Sequence, residues 1–164
     1  MNDEELEWIT NREIGEIMYF KSQNGVIDTL TILEVDIQNN LNPINWSYFN
    51  TSCKEYIATA HIRYSFSNRN TGGLFYIKKQ FNDMPICFSS VLFERWSYDV
   101  PLKLTSLKVD NITMSDIIFF ENGNPEAIER NDSNFITSYA WSKKSGLVQY
   151  TFQDGTTFSR TDIN

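Results

Sequence analysis

The sequence predicts an all-β domain, an antiparallel hairpin meander forming an open barrel or a sandwich, with a short helical turn at its N-terminus. Three observations carry this expectation. From Ile14 onward apolar residues recur at every second position, as a strand with one buried face requires. Turn pairs such as Asn24-Gly25 and Asp154-Gly155 separate those runs at short intervals. No long amphipathic helix is available to cross between parallel strands, which leaves antiparallel hairpins. A chain of 164 residues without a Gly/Ser/Pro-rich linker suits one domain. We divide it into an acidic N-terminal segment, residues 1–10, and a β domain, residues 11–164.

Residues 3–9 fit one or two helical turns. Asn2 or Asp3 serves as the cap, and the carboxylates of the first turn meet the positive helix end. Residues 17–21 and 26–35 form a hairpin around Asn24-Gly25, where a two-residue turn needs positive φ at both positions. Residues 38–52 are rich in Asn and contain Pro43, so they read as a long connection, with Trp46, Tyr48 and Phe49 as anchors. The clearest strand is 56–66. Tyr56, Ala58, Ala60, Ile62, Tyr64 and Phe66 share one face, and Thr59, His61, Arg63 and Ser65 the other.

Residues 67–73 turn and 74–80 return. Asn82-Asp83 turns again into 86–93, followed by 102–109, the Asp110-Asn111 turn and 112–120. Residues 121–133 are polar, hold Gly123 and Pro125, and read as a loop or short helix. The C-terminus repeats the hairpin theme in 135–141, 147–152 and 156–160, joined by Lys144-Ser145-Gly146 and Asp154-Gly155. This gives nine or ten strands.

The net charge of −7 is unevenly spread. Residues 1–10 hold Asp3, Glu4, Glu5 and Glu7 and no Lys or Arg. Residues 110–132 hold Asp110, Asp116, Glu121, Glu126, Glu129 and Asp132 against Arg130 alone. Nucleic-acid binding needs a basic face and is not expected. A basic protein partner is, and Glu121, Glu126, Glu129 and Asp132 are its candidate contacts. No apolar run reaches membrane-spanning length. Met1-Asn2-Asp3-Glu4 is not the start of a signal peptide, so the chain is expected to be cytoplasmic or exported with its signal removed.

Few groups suit catalysis. His61 is the sole histidine, and any Ser-His-Asp or Cys-His site must use it. Its mid-strand place beside Arg63 favours a solvated or hydrogen-bonded strand residue. Cys53, His61 and Cys87 lack zinc spacing, and no metal or cofactor is expected. Cys87 lies in the apolar run Ile86-Cys87-Phe88 as a buried free thiol, with a bridge to Cys53 as the alternative. Glu13, Glu34, Glu55 and Glu94 could supply paired carboxylates, but nothing selects a pair. Loop groups at Asn122-Gly123-Asn124 and Asn131-Asp132-Ser133 lack the calcium-loop order. Arg95, Trp96 and Tyr98, ahead of Pro101, are the candidate exposed aromatic platform for a sugar. No residue is assigned a catalytic role.

Three stretches carry a resemblance. The first is Glu5-Leu6-Glu7-Trp8-Ile9 with Ile14-Gly15-Glu16, Tyr19-Phe20 and Asn24-Gly25 before Asp28-Thr29-Leu30. The second is Phe88-Ser89-Ser90. The third is Tyr139-Ala140-Trp141-Ser142-Lys143-Lys144-Ser145-Gly146-Leu147-Val148-Gln149-Tyr150, closing with Phe152-Gln153-Asp154-Gly155. Together they resemble the small exported lipoproteins of Bacteroides-type bacteria. The resemblance implies export to the cell envelope, in the periplasm or at the outer membrane. It also implies an acidic tail, here residues 2–5, after a lipid-bearing cysteine that is not in this chain. Membrane contact would come through that lipid alone. The expected function is a non-catalytic envelope binding module that docks a protein or a glycan. The alternative is an immunity protein that neutralises an interbacterial toxin by direct binding, and a glycan-active enzyme ranks third.

Overall fold

The computed structural model describes residues 1–43, 56–67, 72–80, 84–93, 95–109, 111–121 and 135–163; for residues 40–43, 56, 95, 96 and 98 it describes the backbone alone. Among the described residues one helix, α1 (Asp3–Thr10), precedes eleven strands. These are β1 (Ile17–Ser22), β2 (Ile27–Pro43), β3 (Tyr56–Phe66), β4 (Gly72–Lys79), β5 (Cys87–Leu92) and β6 (Arg95–Pro101), then β7 (Thr105–Val109), β8 (Ile112–Glu121), β9 (Ile136–Ser142), β10 (Gly146–Phe152) and β11 (Thr157–Arg160). All eleven belong to one antiparallel sheet, ordered β6-β5-β4-β3-β2-β1-β11-β10-β9-β8-β7. The fold is therefore all-β, and the meander forms an open barrel rather than a sandwich of two sheets.

The topology alone forces the curl. A flat sheet in this order would put β6 about 48 Å from β7, ten strand spacings away. The link Leu102-Lys103-Leu104 joins them, and such a span reaches at most about 14 Å. The sheet must roll until its two edges approach. β6 then comes within 8 Å of β8, between Cα atoms, without pairing to it.

The inner face is aromatic. Phe20, Tyr64, Phe66, Phe75, Phe88, Phe120, Tyr139, Trp141, Tyr150, Phe152 and Phe158 are all buried in one cluster. Phe75 stacks on Trp141 at 4.1 Å and Phe120 on Tyr139 at 4.7 Å. Gly73 lies against the Tyr64 ring, where any Cβ would clash, so only glycine admits that ring. Helix α1 adds Trp8 and Ile9 to this core, with Trp8 edge-on to Phe88 at 4.9 Å. Its start is a capping box: Asn2 Oδ1 accepts from Glu5 N at 2.8 Å, and Glu5 Oε2 accepts from Asn2 N at 2.9 Å. A second, smaller core lies on the outer face of β7–β10. Val109, Met114, Ile117, Ala140 and Val148 form it, and Ile163 packs against it.

The structure corrects several sequence expectations. Residues 38–43 continue β2 to Pro43, the last residue of the strand, in register with Tyr56; a strand end is a position at which sheets admit proline. The anchors Trp46, Tyr48 and Phe49 lie outside the described residues. Residues 95–101 form β6, which alternation does not reveal because Asp99 takes a left-handed φ of 51° and the ladder with β5 shifts there. With β6 the strands among the described residues number eleven.

The hairpin at Asn24-Gly25 forms, but not through the mirror-image turn. Only Gly25 has positive φ, Gly25 N donates to Ser22 O, and Ser22 N donates to Val26 O, both at 2.9 Å. That is a three-residue loop closed by a glycine bulge. The turn at Gln153-Asp154-Gly155 repeats the same pattern.

Candidate functional site

The residues singled out from sequence fall in separate places. Glu121 is exposed at the end of β8, while Glu126, Glu129 and Asp132 lie outside the described residues. Arg95, Trp96 and Tyr98 lie in β6, an edge strand, and their side chains are outside the described set. Cys87 is a free thiol, half-buried on β5, and Cys53 lies outside the described residues.

His61 sits on the outer face of β3, opposite Asp36 of β2 and Tyr76 of β4. Its Nε2 is 3.8 Å from Glu34 Oε1, and its Nδ1 is 3.8 Å from Asp36 Oδ2. Glu34 also accepts a 2.8 Å hydrogen bond from Arg63 Nε, which with the Arg63 charge holds its carboxyl below the usual range. This is a charged ladder on an open convex surface. Among the described residues, no group of three or more His, Cys, Asp or Glu could hold a metal ion.

The acidic segment at the N-terminus is partly neutralised. Glu5 pairs with Lys79 at 2.6 Å and Glu7 with Lys143 at 2.8 Å. Burial pushes the Glu5 carboxyl up, but the Lys79 bond and charge, with the Asn2 N–H, outweigh it and hold it below its ordinary value.

The polar groups inside the barrel are structural in placement. Tyr150 donates to Asp28 at 2.9 Å within the buried core. Tyr64 donates to Val91 O at 3.2 Å and Ser90 to Leu74 O at 2.9 Å. Tyr139 Oη lies beside the Ser90 and Ser97 hydroxyls without a hydrogen bond of good geometry, and burial pushes its phenol up to about 12.

Where β1 meets β11, an open groove of about 570 Å³ is lined by Lys21, Ser22, Gln23, Thr157, Ser159 and Thr161. The alternation of β1 buries Met18 and Phe20 and turns Tyr19 and Lys21 outward. Register places Ser159 opposite Lys21, and Thr29 opposite Tyr19 on the other flank. Thr161 N donates to Tyr19 O at 2.9 Å, so Thr161 flanks the tyrosine.

Gln23 staples the two glycine-bulge turns together. It donates to Gly155 O at 3.0 Å and accepts from Thr157 N at 2.8 Å. Sequence reasoning missed this face. Its one signal was the outward alternation Tyr19, Lys21 and Thr157, Ser159, Thr161, which means nothing until β1 and β11 are known to be neighbours.

Fold and surface together define an antiparallel, curled half-barrel domain with a filled interior. Compared with known proteins, the chain matches no family model, no curated protein and no solved structure.

Proposed function

We propose that this domain is a non-catalytic binding module of the bacterial cell envelope, exported in the manner of a small lipoprotein, that docks a protein or a glycan. One observation carries the reading: the barrel interior is packed with aromatic side chains, while the polar and charged side chains that could meet a partner lie on the outer face of the sheet. Binding sites of this kind act through surface complementarity rather than through an enclosed reaction centre.

The test combines turnover and binding on the full chain. Assays with chromogenic glycosides, esters and phosphoesters are expected to give no turnover, while a glycan array and envelope proteins immobilised singly are expected to give a saturable partner. Turnover that disappears in His61→Ala overturns the reading.

The immunity-protein reading draws on the acidic segment 110–132, which contains the exposed Glu121. Tight binding of a toxin encoded next to this chain would select it, if lost on charge reversal at Glu121, Glu126, Glu129 and Asp132.

A further inference from the structure

We infer that the outer face of β1 and β11 is a saccharide subsite that takes an acidic sugar, its ring against Tyr19 and its acid group at Lys21. The inference rests on the binding-module reading and names the ligand class of one face.

Tyr19 is the first observation. Aromatic rings fill the inner face of this sheet, yet Tyr19 is 47% exposed, and among the described residues it is the aromatic side chain left most open. A ring standing out from the middle of a paired strand offers the flat apolar surface on which the C–H face of a pyranose packs.

Lys21 is the second. It lies on the same face two residues on, about 7 Å along the strand, which is the scale of one sugar residue. Lys78, Lys79 and Lys143 each pair with a carboxylate. Lys21 has no such partner among the described residues. The nearby Asp162 is already held by Arg160 at 2.8 Å.

Tyr19 borders the groove that Lys21, Ser159 and Thr161 line, and the polar groups around both set the class of ligand. Thr29 and Thr161 flank Tyr19, Ser159 faces Lys21, and Gln149 beyond it is held to Ser159 at 3.1 Å. Hydroxyls both donate and accept, which matches the hydroxyls of a sugar. Exposed Ile17 and Ile27 border this face on the β1–β2 side, while the strip from Lys21 across β11 is Ser, Thr and Lys. Protein interfaces are depleted in Ser and Lys, so that strip favours a saccharide. β1 and β11 are each hydrogen-bonded on both sides, so the groups are fixed before a ligand arrives.

Calorimetry with trigalacturonate, galactotriose and a sulfated chondroitin tetrasaccharide tests this on the full chain. The acidic oligosaccharides are expected to bind, more weakly as salt rises. Tyr19→Ala is expected to lose about tenfold or more in affinity, the scale of one ring contact. Lys21→Gln is expected to remove the preference for acidic over neutral sugar. Both side chains are exposed, so melting temperatures should not move and lost binding reports the site.

Binding unchanged in both variants, or no binding of any of the three probes, overturns the inference. A protein partner lost in the same variants, with no sugar bound, overturns the ligand class and leaves the binding-module reading standing. Cleavage of a bound probe overturns that reading instead.

Discussion

Two junctions decide how far the sheet closes, and they behave in opposite ways. β1 and β11 lie near the two ends of the chain and pair in register, Phe20 with Arg160 and Lys21 with Ser159. β6 and β7 are joined by three residues and have no strand partner on their outer edges among the described residues. Nearness along the chain therefore did not produce pairing here, and side chains did.

At the closed junction Phe20 meets Tyr150 at 5.4 Å, and Tyr150 stacks on Phe158 at 4.9 Å. Two arginines, Arg160 buried and Arg12 half-buried, lock it from the side. Arg12 reaches Glu16 at 2.5 Å, Arg160 reaches Asp162 at 2.8 Å, and both donate to Ser145 O. At the open junction Pro101 ends β6 without an N–H to give, and Asp99 bends the strand just before it. β7 is short and carries Lys108, two features that guard a free edge against unwanted pairing.

The contrast can be broken at its strongest point first. Phe20→Ala removes a fully buried ring and should cost about 3–5 kcal/mol in urea unfolding. Ser106→Ala on the exposed edge of β7 should stay within about 0.5 kcal/mol. Equal costs at the two positions would refute the distinction between the junctions.

Arg160→Ala should cost about 2 kcal/mol, because it removes a buried guanidinium that bonds the half-buried Asp162 and Ser145 O. It also tests the acid limb. Burial pushes the Asp162 carboxyl up, but the Arg160 bond and charge and the Tyr19 N–H together hold it below its ordinary value. Its folded pKa is thus lower than the unfolded value of about 4. Its contribution is present above that value and is lost as pH falls through the folded pKa. Melting temperature measured from about pH 6 down to 2 should fall more steeply for the parent chain than for Arg160→Ala.

A small effect at neutral pH is also expected from Tyr139→Phe, which faces Ser97 of β6 at the open side. Its hydroxyl lacks a well-formed bond, so removing it should change stability by less than about 1 kcal/mol. Its folded pKa of about 12 lies above the unfolded value of about 10. Stability from this group is complete below about pH 10 and is lost as pH rises through the folded pKa. The variant should therefore outlast the parent in alkaline melts, and an unchanged alkaline limb would sink this account.

Much of the fold was legible in local pattern. Residues 56–66 show why: Ala58, Ala60, Ile62, Tyr64 and Phe66 are buried, as period-two alternation demands of a half-buried strand. β6 was not legible, since a left-handed Asp99 and a shifted ladder erase the alternation on which such reading depends. Of the sequence-derived partner residues only Glu121 has a described side chain, and it stands exposed. The candidate face escaped sequence reading because Tyr19 and Lys21 of β1 meet Ser159 and Thr161 of β11 only through long-range pairing.

By itself, then, the sequence determined the antiparallel strands, their inward faces and most of their turns, because φ/ψ preference and two-residue periodicity act over a few neighbouring residues. The tertiary structure alone decided that one sheet rolls into an open barrel, that the two end strands meet, and that Tyr19, Lys21, Ser159 and Thr161 share a face. Those outcomes depend on which distant aromatic faces pack together and on how far a three-residue link can reach, and no local pattern encodes either.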